Sequence, residues 1–174
     1  MRWMWIDRII SHEPDKRLVS IKNVSLAEEH LHDHFPAGDG HPAQPVMPAS
    51  LMIEGMAQTA GILVGAARRF REKVILAKIA KARFDRDVFP GQTLRYEAEL
   101  DRIGTAGAST HGVVFRLDHS QPNPQWEEIG QINLMFSHAD QNLAGLEFPE
   151  ENFVFSENLR TILRTGGLLH LAET

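Results

Sequence analysis

One stretch constrains this chain more than any other: Pro48–Phe70, PASLMIEGMAQTAGILVGAARRF. Read as a helix, its 23 residues run about 34 Å. Its first five turns are apolar nearly all round, so such a helix has to be buried. Pro48 suits the first helical turn, where its missing N–H is not needed. Ala57, Ala60, Gly61, Gly65 and Ala66 leave room for a sheet or a second helix to approach closely. The longer apolar run from Pro45 to Ala67 has the length of a membrane span. However, Glu54 and Gln58 lie inside it and three glycines interrupt it. The expectation is a core helix in a soluble protein, without membrane insertion.

What surrounds the helix is strand-like. Residues 17–24 alternate apolar and polar, Lys73–Phe84 is β-compatible, Leu94–Ile103 and Ala108–His119 alternate, and Trp126–His138 forms a last strand. Pro90-Gly91 marks a turn and Gly104–Gly107 a tight connection. Residues 25–36 open with a helix-like turn, and the Gly/Pro-rich residues 37–44 form a loop. One long helix followed by an antiparallel meander predicts an α+β fold, with the helix on one sheet face. Residues 139–174 read as a C-terminal extension of the 1–138 domain. They are loop-like to about Asn152, and Ser156–Leu171 then forms a short amphipathic helix. Ser156 can cap it, Gly166-Gly167 can stop it, and Leu159, Ile162 and Leu163 share the face that docks on the body.

Length and composition fit one domain: 174 residues, 43% hydrophobic and 24% charged. The absence of cysteine excludes a Cys nucleophile, Fe–S clusters and Cys-based zinc sites, and is compatible with a reducing cytosol. The N-terminus, MRWMWIDRII, does not read as a signal peptide, because Arg2, Asp7 and Arg8 break its short apolar run. A cytoplasmic location is expected.

Two features carry chemistry. Glu54 lies inside the buried stretch, where a carboxylate must be paired, neutralised or wet. Gln58 is one turn on and within hydrogen-bonding reach. Glu54 is therefore either a structural carboxylate facing a water-filled crevice or an acid/base group. The second feature is a run of histidines: His30, His32, His34 and His41, four of the nine in the chain. In an extended segment the first three would share a face and could hold zinc, but no partner ligand is evident, and no metal is expected. His34, followed by Phe35-Pro36 and then by the return to the helix, pairs with Glu54 as an acid/base couple. Free N–H groups at the helix start would supply a carbonyl-binding corner. Proton abstraction α to a carbonyl needs these parts.

The segments His34-Phe35-Pro36, Pro45-Val46-Met47-Pro48-Ala49-Ser50-Leu51 and Glu54-Gly55-Met56-Ala57-Gln58 resemble the signature of the FabZ-type 3-hydroxyacyl-[acyl-carrier-protein] dehydratases. Lys81-Ala82-Arg83-Phe84 and Pro90-Gly91-Gln92-Thr93-Leu94 resemble that family's next strand and turn. The likeness spans roughly residues 1–138. It implies a hotdog fold, a long central helix wrapped by a curved antiparallel sheet. It implies a homodimer whose interface holds the active sites, His from one subunit and Glu from the other. Some members assemble further as trimers of dimers. No cofactor is implied. His34 maps onto the catalytic His and Glu54 onto the catalytic Glu. The related FabA branch, which also isomerises, has Asp at the latter position, so Glu54 implies simple dehydration to a trans-2-enoyl thioester. The backbone N–H near Ala49 would polarise the thioester carbonyl, and Gln58 would orient Glu54.

The chain departs from the pattern in three places. The connection between His34 and Pro45 is longer than usual, which makes His41, 13 positions before Glu54, a rival catalytic His. Ala49 stands where the family has Gly. Residues 139–174 extend past the common core. Charge adds a partner. Arg68–Arg95 holds nine of the 18 Lys and Arg and three acids, so it carries +6 and leaves −11 for the rest. Arg68, Arg69, Arg71, Lys73, Lys78, Lys81, Arg83 and Arg86 are candidate docking residues for an acidic acyl carrier protein, the alternative being a solvated surface. No aromatic stacking set accompanies them, so nucleic acid is not expected. The competing functions are a hotdog acyl-CoA thioesterase and a non-catalytic acyl-binding hotdog protein.

Overall fold

The computed structural model describes residues 4–38, 40–138 and 156–173, without the Asp33 side chain. Six strands form one antiparallel sheet: β1 (Arg8–Glu13), β2 (Arg17–Asn23), β3 (Val74–Phe84), β4 (Gln92–Ile103), β5 (Gly107–Asp118) and β6 (Trp126–His138). Between β2 and β3 lie a single-turn helix, α1 (His30–Asp33), and the long helix α2 (Ala49–Ala67). The strand order is β1-β2-β4-β5-β6-β3. The expected meander therefore holds only for β4-β5-β6. β3, next before β4 in the chain, crosses to the far edge and pairs with β6. The architecture is α+β, a hotdog fold.

Helix α2 lies across the sheet, and each contact uses a small residue on one side. Tyr96 of β4 lies against Gly55, Met56 against Gly112 of β5, and Phe136 of β6 near Gly61. Ser20 of β2 shares a buried 2.6 Å hydrogen bond with Thr59. By length and hydropathy α2 could cross a membrane, yet 61% of its apolar window is buried inside this protein. The helix is shorter than 48–70 at both ends. Pro48 has ψ 133° and is the N-cap, not a first-turn residue. At the other end Arg69 and Phe70 take positive φ. There the chain folds back, and the Phe70 ring occupies the space a Cβ on Gly65 would need.

Gly55 is the glycine that close approach demands. A Cβ there would fall 2.5 Å from the Tyr96 hydroxyl oxygen, and Tyr96 is fully buried. Gly55→Ala is expected to destabilise the protein by about 2 kcal/mol, although alanine is the better helix former, because overpacking outweighs propensity. Urea unfolding of the two proteins checks this; an alanine variant as stable as the parent would mean the Tyr96 ring can move aside.

Gly91 meets a different need. Phe89-Pro90-Gly91-Gln92 is a turn closed by Gln92 N–H donating to Phe89 O at 3.2 Å, and Gly91 has φ 84°. Pro then Gly at the central positions is what a type II turn requires.

The strand β1 is absent from the expectations above. It is an edge strand with only Ile9 well buried, and a register shift between Ile9 and Ser11 breaks its alternation. The C-terminal helix is also shorter than 156–171: α3 spans Glu157–Thr165, and a 3-10 turn, Leu169–Leu171, follows. Ser156 Oγ accepts from Leu159 N–H at 3.3 Å, and Leu159, Ile162 and Leu163 are buried. Gly166, just past α3, lies against the Ile9 side chain of β1. The loop-like reading of 139–152 falls outside the described residues.

Candidate active site

The two candidate catalytic groups are each oriented by one strong contact. His34 ends α1 and is exposed. Its Nδ1 lies 2.8 Å from the Val46 carbonyl oxygen. A carbonyl only accepts, so Nδ1 carries the proton, and Nε2 of the neutral ring is left with its lone pair free. The acceptor is itself held in place. Val46 N–H donates to Gln44 O at 2.8 Å, Gln44 N–H to Phe35 O at 3.0 Å, and Met47 N–H to Val88 O at 2.8 Å. The Phe35 ring sits 4.3 Å from the imidazole, centroid to centroid. His34 is thus 15 positions before Ala49, the first residue of α2, but is tied to the strap that enters the helix.

Glu54 lies in the second turn of α2, half-buried. Its Oε1 accepts from Gln58 Nε2 at 3.0 Å, and Gln58 Oε1 in turn accepts from the Trp5 backbone N–H at 2.8 Å. Glu54 and Gln58 are one turn apart on α2, on the side of the helix away from the buried Met52, Met56 and Leu63. No hydrogen bond joins His34 to Glu54 among the described residues. Beside them the first turn of α2 is open. Ala49 and Ser50 are exposed, no side chain caps the helix, and no acidic residue stands in its first turn. Two N–H groups at the positive end of a 19-residue helix are therefore available to an incoming oxygen.

The histidine run does not share a face. Residues 30–33 are helical rather than extended, which turns His32 away from the other two, and each ring takes its own partner. His30 meets Trp5 edge-on at 5.0 Å, and burial lowers its affinity for a proton. His32 Nε2 lies 2.7 Å from Leu26 O, and His34 turns to Val46. His41 is exposed on the 37–44 loop, where its backbone bridges to Gly38.

The basic residues do not form one patch on the protomer. Arg68, Arg69, Arg71 and Lys73 lie past the C-terminal end of α2, whereas Arg83 and Arg86 flank the turn that carries Val88 to Met47 at its N-terminal end. Those ends are about 29 Å apart along a 19-residue helix. Lys78 and Lys81 lie between them on β3 and are exposed. Several are engaged. Arg68 donates to Gly104 O at 3.3 Å, Lys81 to Gln131 at 3.2 Å and Arg83 to Asp85 at 2.9 Å, while Arg86 lies 3.3 Å from Glu127.

What sequence reasoning missed here is Trp5, which reaches Gln58 from 53 positions away through its backbone. It missed Tyr96 as well. Burial, with Asp7 and Glu28 adding to it, pushes its hydroxyl far above the usual range, so Tyr96 stays neutral beneath Gly55.

Comparison with known proteins bears on this geometry. Residues 2–118 match the model of the FabA-like domain. A 3-hydroxyacyl-[acyl-carrier-protein] dehydratase FabZ of Desulforamulus reducens is 41% identical over 109 residues, 62% of this chain and 72% of that protein. Among solved structures, the dehydratase heterocomplex ApeI:P from Xenorhabdus doucetiae superposes with a TM-score of 0.58 at 17% identity, covering 79% of this chain and 84% of that one. A thioesterase family protein from Silicibacter pomeroyi gives the same TM-score at 12% identity, covering 75% and 82%. The last two likenesses establish the fold alone.

Proposed function

This chain belongs to the FabA-like family and is a dehydratase of the FabZ type, and we propose that His34 and Glu54 carry its reaction, the removal of water from a 3-hydroxyacyl thioester on acyl carrier protein. The observation that carries this reading is the His34 Nδ1 bond to Val46 O, which leaves Nε2 as an oriented base. His34 Nε2 takes a proton from C2. The C2–H electron pair becomes the C2=C3 bond as the C3–O bond breaks. Glu54 gives its proton to the departing hydroxyl, which leaves as water. Charge that gathers on the thioester oxygen meanwhile meets the Ala49 N–H at the helix start. The product is the trans-2-enoyl thioester. His34 ends protonated and Glu54 ionised, and exchange with solvent resets both.

The assembly that fits is a homodimer with His34 and Glu54 of one site on different subunits. Two observations and one consequence support it. The two side chains have separate partners within one chain. Among the described residues no strand pairs with the outer edge of β3, and Leu76, Ile79 and the neighbouring Met135 are 37%, 45% and 45% exposed. An antiparallel pairing of two β3 edges would also set the Arg68–Lys73 group of one protomer beside the Arg83–Arg86 group of the other. That makes one basic surface near the site for an acidic carrier protein. We propose a cytoplasmic reaction, within fatty acid or related lipid synthesis.

The test is identification of products from 3-hydroxyacyl and trans-2-enoyl thioesters loaded on acyl carrier protein. Interconversion of the two is expected. Release of free acid and thiol would establish a thioesterase, and no turnover across chain lengths an acyl-binding protein.

A further inference from the structure

We propose that the backbone N–H of Trp5 is a positioning group for this reaction: by holding the Gln58 amide in one orientation, it decides which oxygen of Glu54 carries the transferable proton. The inference rests on the dehydratase reading above. It begins from the polarity of a two-bond relay. A backbone N–H can only donate, so the Gln58 atom 2.8 Å from Trp5 N is Oε1. The other end of the amide, Nε2, then faces Glu54 Oε1 at 3.0 Å as a donor. An oxygen that accepts from Nε2 along that line has no room for its own proton there. When Glu54 is the acid, its proton sits on Oε2.

The relay is buried and stiff. Gln58 is 5% exposed and Trp5 9%. The Trp5 ring is held edge-on by His30. Two residues on, Asp7 N–H donates to Ile21 O at 2.7 Å and joins the segment to β2. The sheet edge therefore sets the position of the N–H, and the N–H holds the Oε1 end of the amide.

Without that donor, a half-turn of the Gln58 amide has little steric consequence, because oxygen and NH2 are nearly the same size. The turned amide presents Oε1 to Glu54. A carboxylate is then repelled, whereas a protonated Glu54 donates to Gln58, which withdraws the proton from the substrate. Substrate binding is untouched by this change and turnover is not.

The test deletes the N–H alone. In the full chain the Met4–Trp5 amide is replaced by an ester, using the tryptophan hydroxy acid at position 5, which keeps every side chain. Trp5→Ala keeps the N–H and removes the ring. The ester protein is expected to lose about tenfold in kcat with KM within about twofold, the upper end for one lost hydrogen bond between neutral groups. Solvent exchange of the Gln58 side-chain amide protons, followed by NMR without substrate, should accelerate in the ester protein and stay slow in Trp5→Ala. A parent-like kcat with unchanged amide protection in the ester protein overturns the inference, as does Trp5→Ala matching the ester protein in both readings. The exchange measurement needs no turnover, so it decides the relay even if the parent makes no enoyl product, a result that would count against the dehydratase reading instead.

Discussion

Replacing His34 by Ala, or Glu54 by Gln, is expected to lower turnover of a 3-hydroxyacyl thioester by about a thousandfold, the middle of the range for a general acid or base. His41→Ala is expected to retain most of it, because His41 is exposed on the 37–44 loop while His34 is anchored to the strap before α2. The site divided between subunits gives a sharper form of the experiment. When the two inactive proteins are unfolded together and refolded, half the dimers are mixed. Each mixed dimer holds one site with both substitutions and one with neither. Activity should return to about a quarter of the parent's. If nothing returns while the mixed dimer forms, both groups of a site belong to one chain. If His41→Ala is inactive and His34→Ala is not, the assignment across the long connection is wrong and the fold stands.

Leu163→Ala is expected to cost about 3 kcal/mol of stability, and to move the unfolding of the whole protein rather than of its C-terminus alone. Leu163 is completely buried on α3, beside Leu159 and Ile162, and the end of that helix lies against Ile9. Ser156→Ala, which removes the cap on Leu159 N–H, should cost about 1 kcal/mol. Both are read from urea unfolding followed by tryptophan fluorescence. An unchanged midpoint for Leu163→Ala would make α3 a loose appendage. The expected loss would make residues 156–173 part of the core, in a region beyond residues 2–118, which the family model matches.

Several parts of this fold are legible in the residues because their causes are local. The apolar run around Glu54 can only be a buried helix. The alternation in 108–119 reads as a half-buried strand and 126–138 as a last strand, and the observed β5 and β6 match these to within a residue and identically. Pro90-Gly91 is a turn because φ 84° at Gly91 suits glycine. Gln58 falls near Glu54 because a helix brings residues four apart together. The failures have local causes too. A bulge after Ile9 hides β1, and a helical turn at 30–33 spoils an argument that assumed extended chain.

The sequence by itself determined which groups are available: a helix with a carboxylate in its second turn, a histidine before the entering strap, open N–H groups at the helix start and a strand-rich body to bury the rest. Helical and strand periods are properties of neighbouring residues, so they can be read along the chain. The tertiary structure alone decided which of those groups meet. It put β3 beside β6 and not beside β4, at the edge of the sheet that the described residues form. It parted the basic residues between the two ends of α2. It gave His34 to Val46 O and brought the Trp5 N–H to Gln58 from 53 positions away. Such contacts depend on strand order, register and backbone direction. A backbone N–H has the same chemistry at nearly every residue, so nothing in the letters of a sequence marks the one that orients a carboxylate.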